Sequence, residues 1–174
     1  MWCCAAGHTF KATFRQRANG RSCDQCRRLR SVAKRGSLAE KHPLIAQEWD
    51  HEANDKTPHD YSPGSRLPAH WVCPMGHQYT MRIQRRVAGG GCYYCANRVL
   101  LPGFNDLATR EPRIASEWHP WRNWTRPSEV FPHSNKKWVW ECPNGHVMER
   151  SPAHRILSGG CSECPREERA TFRG

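Results

Sequence analysis

The strongest constraint on this chain is a four-residue pattern, Cys-x3-His-x14-Cys-x2-Cys, that occurs three times. It spans Cys4 to Cys26 ("CAAGHTFKATFRQRANGRSCDQC"), Cys73 to Cys95 ("CPMGHQYTMRIQRRVAGGGCYYC") and Cys142 to Cys164 ("CPNGHVMERSPAHRILSGGCSEC"). Each copy follows the last by 69 residues, the mark of an internal repeat. Nine of the ten cysteines fall in these sets, and each set has a His at the same place. A disulfide framework has no use for a His in register, whereas a tetrahedral zinc site takes both residue types. The expected ligand sets are Cys4, His8, Cys23 and Cys26; Cys73, His77, Cys92 and Cys95; and Cys142, His146, Cys161 and Cys164. Three structural zinc ions follow. Cys3 aligns with Val72 and Glu141, so it stands outside the ligand register.

Composition supports metal as the staple. Hydrophobic residues make up 37% of the 174, and the mean hydropathy is -0.85, too lean for one large core. Small modules with so little to bury usually need disulfides or metal. No apolar run approaches the roughly 20 residues of a membrane helix. The start, "MWCCAAGHTF", has no basic stretch followed by an apolar one, so no signal peptide is visible. A reducing cytoplasm suits thiolate ligands, and no membrane is expected as a partner.

The 69-residue offset extends beyond the ligands. Trp2, Trp71 and Trp140 align, as do Phe10, Tyr79 and Met148, and Arg17, Arg86 and Arg155. Between the metal motifs "SLAEKHPLIAQEWDH" matches "DLATREPRIASEWHP", pairing Leu38 with Leu107, Ile45 with Ile114, Glu48 with Glu117 and Trp49 with Trp118. Ser37 with Glu40 makes a capping box, and Asp106 caps at the equivalent place. Pro43 and Pro112 interrupt one helix and suit the first turn of a second. Two short helices ending at each Glu-Trp pair are therefore expected. The recurring tryptophans are read as small-core residues; Trp121 and Trp124, which have no counterpart in the first linker, are candidates for exposed contact.

Around each metal site the pattern is β. "KKWVWEC" alternates, and "GHVMER" and "GHQYTMRI" follow a Cys-Pro-x-Gly-His turn. The CxxC should open a helical turn. Knuckle, hairpin, then CxxC at a helix start is the order of a treble-clef zinc finger. The expected fold is a small zinc-stabilised α+β chain of three tandem treble-clef or zinc-ribbon modules joined by short helical linkers. Module boundaries fall at 1–36, 67–105 and 136–174, with linkers at 37–66 and 106–135.

"WVWECPNGHVMERSPAHRILSGGCSEC" together with "IASEWHP" resembles the tandem "probable zinc-ribbon" family of treble-clef repeats, over nearly the whole chain. Members of that family often accompany endonuclease domains of the very-short-patch-repair and restriction type. The resemblance thus implies a DNA-binding role by association, with a nuclease as a possible protein partner. Repeat one departs from the pattern, with Ala5 in place of Pro and "NGRSC" in place of "GGGC".

The formal net charge is +11, unevenly spread. Residues 1–36 hold nine Lys/Arg against one acid, residues 37–72 three against six, and residues 73–105 four against none. Each Cys3His zinc site adds three thiolates and one dication, a net −1 apiece, so the working charge is about +8. Basic surfaces of this kind attract phosphate backbones through counterion release, without reading sequence. The candidate nucleic-acid contacts are Arg15, Arg17, Arg21, Arg27, Arg28 and Arg30 in module one, Arg82, Arg85 and Arg86 in module two, and Arg155 in module three.

Three functions compete: a nucleic-acid-binding protein, most simply of DNA; an adaptor docking a partner through the Trp-rich linkers; and an enzyme. Four protein ligands close each tetrahedron and leave no position for an activated water. His70 is the nearest extra ligand for a treble-clef nuclease, and it has no evident partner in the sequence. The reading that follows is a binding protein with no catalysis of its own.

Overall fold

The structure is a computed structural model that describes residues 1–165, so the end of the 136–174 module lies outside the described residues. Contacts divide the chain into two compact units, Met1–Cys92 and Tyr93–Gly174, with the boundary inside the second CxxC.

The first unit begins with a minimal hairpin, β1 (Trp2–Cys3) against β2 (Thr9–Phe10), with Trp2 opposite Phe10. Helix α1 (Phe14–Ala18) follows, started by a capping box between Thr13 and Gln16. Cys23 then caps α2 (Asp24–Arg35), which therefore carries the CxxC in its first turn. The linker forms α3 (Leu38–Lys41) and α4 (Pro43–Ala46), with the expected Ser37–Glu40 capping box and Pro43 opening the second helix. Strands β3 (Pro68–Val72) and β4 (Gln78–Arg82) pair antiparallel with Trp71 opposite Tyr79, and α5 (Ile83–Val87) closes the unit.

The second unit repeats this plan. After the second CxxC come α6 (Leu107–Arg110), capped by Asp106, and α7 (Pro112–Ala115), opened by Pro112. Strands β5 (Trp138–Glu141) and β6 (Val147–Arg150) set Trp140 opposite Met148, and α8 (Pro152–Ser158) follows.

The linkers do not behave as spacers between independent fingers. Each one packs on the hairpin that follows it. Val72 N–H donates to Glu48 O at 2.7 Å and Asp50 N–H to His70 O at 3.1 Å, so the Glu-Trp segment forms a one-residue antiparallel bridge, Trp49 to Trp71, along β3. The same two bonds recur in the second unit, from Glu141 to Glu117 O (2.7 Å) and from His119 to Val139 O (3.1 Å). Trp49 meets Trp71 edge to face at 5.2 Å, and Trp118 meets Trp140 at 5.0 Å. Trp71 and Trp140 are fully buried, as are Leu38, Ile83 and Leu107. Fully burying one large apolar side chain contributes about 1.5–3 kcal/mol. Few such residues are present, so they are concentrated where linker meets hairpin.

Two asparagines pin this junction. Asn54 accepts from His70 N–H and donates to the carbonyls of Asp50 and His70, at 2.7–3.0 Å. Asn123, 69 residues later, does the same with Val139 and His119. An amide side chain with both donor and acceptor fits a gap between two strand edges.

The CxxC expectation holds in part. Only the first pair opens a helix; the second and third lie in turns and bends among the described residues. Asp24 supplies an acidic first turn in the first copy, and its counterparts Tyr93 and Ser162 supply none.

Candidate metal centres and basic surface

Each site is built on a knuckle. The N–H of Gly7, Gly76 and Gly145 donates to the carbonyl of the first ligand, Cys4, Cys73 or Cys142, at 2.8–2.9 Å. That Cys then donates its own N–H to the carbonyl of the His ligand at 3.0–3.1 Å. Closing the turn puts these three glycines at φ of 78–80°, a region where an added Cβ is strained. The turn brings Cys and His together from one strand end, and the second Cys pair arrives after the helix that follows the hairpin.

The ligand atoms of each predicted set lie within 4.8 Å of one another: Cys4, His8, Cys23 and Cys26; Cys73, His77, Cys92 and Cys95; Cys142, His146, Cys161 and Cys164. The spacing distinguishes metal from disulfide. Cys4 and Cys26 have Sγ atoms 3.6 Å apart, and Cys142 and Cys164 3.8 Å apart. A sulfur–sulfur bond is about 2.05 Å, whereas two thiolates at about 2.3 Å from one tetrahedral zinc stand about 3.8 Å apart. The His Nδ1 atoms sit 3.3–3.7 Å from the neighbouring sulfurs in all three sites. All ten cysteines are free of disulfides, and Cys3 is exposed outside the sets. The residues fit zinc, and the chain carries three structural zinc sites.

Groups around the sites push the thiols in both directions: Cys161 is lowered, while burial and the neighbouring Cys142 and Cys161 push Cys164 up to about 11. Asn144 Nδ2 donates to Cys164 Sγ at 3.3 Å, and Glu163 N–H to Cys161 Sγ at 3.4 Å. In the first set, desolvation pushes the Cys4 thiol up, but hydrogen bonds from the His8 and Ala6 backbone and from Cys26 and Cys23 bring it down to about 6. The Cys4 bond and burial push Cys26 up to about 11. Zinc must therefore displace protons from such a set when it binds.

Two of the arginines expected to contact nucleic acid are engaged elsewhere. Arg86 forms a two-bond fork with Glu48, Nη2 to Oε1 at 2.7 Å and Nε to Oε2 at 3.1 Å, with both side chains largely covered. Arg155 pairs with Glu117 through Nε and Nη2, its side chain 1% exposed. These cations tie the linker to the helix after the hairpin and do not face solvent, which corrects the expectation for both. Burial also raises the Tyr79 phenol, whose O–H donates to Glu48. The 69-residue register already held the signal: Glu48 recurs as Glu117 wherever Arg86 recurs as Arg155.

The remaining candidates lie on the surface. Arg15, Arg17, Arg21, Arg27, Arg30, Arg82 and Arg85 are exposed, and Arg28 is half-buried with its guanidinium 5.4 Å from the Tyr61 ring centre. In the first unit a cleft of about 510 Å3 is lined by Arg27, Arg28, Ser31, Ser62 and Arg66, with Asp24 its one acidic residue. Trp121 and Trp124 are 89% and 78% exposed, and Lys136 Nζ sits 4.2 Å from the Trp124 ring centre. His70 is exposed and faces Thr80 across the strand pair at 3.1 Å.

A family model described as a probable treble clef zinc finger domain matches the chain twice, over residues 45–98 and 114–167. Each match starts at the Ile of an Ile-x-x-Glu-Trp segment and ends past a CxxC, so the matched unit includes the bridge that the linker makes to the hairpin. No match is found among curated proteins.

Proposed function

Because the chain belongs to this treble clef zinc finger family, we propose that it uses its zinc-built modules to bind nucleic acid, DNA first, without catalysis of its own. The observation that carries this reading is the arginine-lined cleft of the first unit and the exposed arginines around it. Arg27, Arg28 and Arg66 line one cleft, Arg27 pairing there with Asp24 at 2.5 Å and the Ser31 and Ser62 hydroxyls bonding each other at 2.9 Å, so phosphate would compete with one exposed carboxylate for the arginine forks. Arg15, Arg21 and Arg30 extend the positive surface, and Arg82 and Arg85 supply a second patch beside the second zinc site. Contacts of this type hold phosphate and set position rather than sequence. The metal acts as a staple, which keeps the loops that bear these arginines stiff. Among the described residues no helix is long and apolar enough to cross a membrane.

Salt-titrated binding to duplex DNA, single-stranded DNA and RNA of matched length tests the proposal. Affinity should fall linearly on a log–log plot as salt rises, with duplex DNA bound best. Absence of binding to all three at low salt would overturn it. The exposed Trp121 and Trp124 favour a second reading, an adaptor whose second linker docks a protein such as a nuclease; salt-resistant binding to that partner would distinguish it.

A further inference from the structure

The turn that follows each Glu-Trp pair is built the same way in both units and carries opposite side chains. In the first, Asp50 Oδ1 accepts the N–H groups of Glu52 and Ala53 at 3.0–3.1 Å, and Trp49 Nε1 donates to Lys56 O at 2.9 Å. In the second, His119 Nδ1 accepts from the N–H groups of Trp121 and Arg122, each at 3.3 Å, and Trp118 Nε1 donates to Thr125 O at 3.0 Å. The backbone is held from within in both, so the outward side chains are free to differ. Trp121 stands in the register of Glu52, and Trp124 in that of Asp55. Two carboxylates of one unit are two indoles in the other.

Little of either indole is buried, so folding gains little from them. Trp121 is 89% exposed and has no ring partner among the described residues. Trp124 is 78% exposed and ends a line of indoles, Trp140 to Trp118 at 5.0 Å, Trp118 to Trp138 at 5.1 Å and Trp138 to Trp124 at 5.2 Å. A further flat ring can extend that line outward. The charge around it indicates which kind. Residues 50–69 hold Asp50, Glu52, Asp55 and Asp60 against Lys56 and Arg66, a net −2. Residues 119–138 hold Arg122, Arg126, Lys136 and Lys137 against Glu129, a net +3, and all four cations are exposed. Lys136 Nζ lies 4.2 Å and 4.8 Å from the ring centres of Trp124 and Trp138. Protein interfaces are depleted of lysine, whereas single strands are held by cations beside aromatic faces.

We propose that the Trp121–Trp124 turn is a stacking platform for the unpaired bases of single-stranded nucleic acid, with Arg122 and Lys136 meeting the phosphates. The proposal rests on the nucleic-acid reading above and adds a base-directed contact to the phosphate-directed arginines. Every base has a ring face, so the platform tolerates sequence. Held by His119 and by the Asn123 bonds to Val139, the turn is already ordered, and binding forfeits little freedom.

The test is fluorescence anisotropy of a labelled oligothymidylate of about 12 nucleotides, titrated with the zinc-loaded full chain. An oligouridylate, an abasic DNA strand and a DNA duplex of the same length run beside it. W121A/W124A should weaken binding to the oligothymidylate, the oligouridylate or both by about tenfold or more, and whichever responds names the source of the bases. The salt slope should not change, since no cation is removed. Binding to the abasic strand and to the duplex should stay as in wild type. W121F/W124F should recover part of the loss, because phenylalanine keeps a ring face. Zinc content should stay at three in each variant, since neither tryptophan is a ligand. No binding of either base-bearing strand by wild type, or equal binding by wild type and W121A/W124A, overturns the proposal and leaves the two indoles to a protein partner. A loss of the same size on the duplex also overturns it. In each of these cases binding to the duplex keeps the nucleic-acid reading standing, whereas absence of binding to all four probes removes both.

Discussion

Glu117 and Arg155 stand 38 residues apart in the chain and meet as an ion pair with side-chain exposures of 4% and 1%. One comes from the end of a linker, the other from the helix after a hairpin, so the pair fastens two elements that pack on the same small cluster around Leu107 and Trp140. Removing one partner strands the other charge in a place water does not reach. E117A and R155A should each cost about 3–5 kcal/mol, read by urea unfolding with zinc in excess. A loss below about 1 kcal/mol in both would mean the pair is solvated in solution.

Arg85 and Arg86 are neighbours with opposite duties. R82A/R85A should lower the slope of log affinity against log salt by about two, roughly one for each phosphate contact removed, and leave stability unchanged. R86A should do the reverse. It breaks the fork to Glu48 and should cost on the order of 2 kcal/mol with no change in the salt slope. A lower slope for R86A would show that Arg86 leaves Glu48 for phosphate.

Zinc analysis of purified, reduced protein should return three ions per chain, and C92S should return two. Each ligand set forms at its own knuckle, so loss of one leaves the others complete. Chelation should abolish the cooperative unfolding transition, since structural zinc supplies on the order of 10 kcal/mol per site in small fingers. Loss of all three ions from C92S would show that the sites are not built locally.

Asp106 tests the linker caps. Burial would raise its carboxyl, but the Thr109 hydroxyl and the N–H groups of Thr109 and Gly103 outweigh that and hold it below the usual range. A lowered folded-state value gives stability that is fully present above the unfolded value, about 3.9, and is lost as pH falls through the folded one. D106A should cost about 1–2 kcal/mol. The gap to wild type should stay constant from pH 8 down to about pH 5, where the carboxylate is ionised in both states. A gap that shrinks within that window would mean the carboxyl titrates higher than its partners imply.

Metal ligands and helix starts were legible because their signals are local. Cys142 to Cys164 carries its chemistry within one spacing, and Ser37–Glu40 within one turn. The ion pairs were not, since Arg86 and Arg155 look like any other basic loop residue until the glutamates 38 positions upstream fold onto them. Their partnership is a tertiary fact, visible in sequence only as two columns that repeat together. The asparagine clamp was missed for the same reason: Asn54 and Asn123 stand in polar stretches that read as loop. The second and third CxxC pairs lack the acidic first turn that lets Asp24 start a helix, so spacing alone overstated the helix there.

The near-perpendicular indoles have an optical consequence. Trp49 with Trp71 at 81°, and Trp118 with Trp140 at 84°, place two identical chromophores within about one ring length of each other. Coupled transitions in that geometry split into a pair of circular-dichroism bands of opposite sign. The chain therefore carries its own unlabelled signal for a linker seated on its hairpin. Trp2 has Phe14 rather than a second indole beside it among the described residues, so the first hairpin adds nothing to that signal.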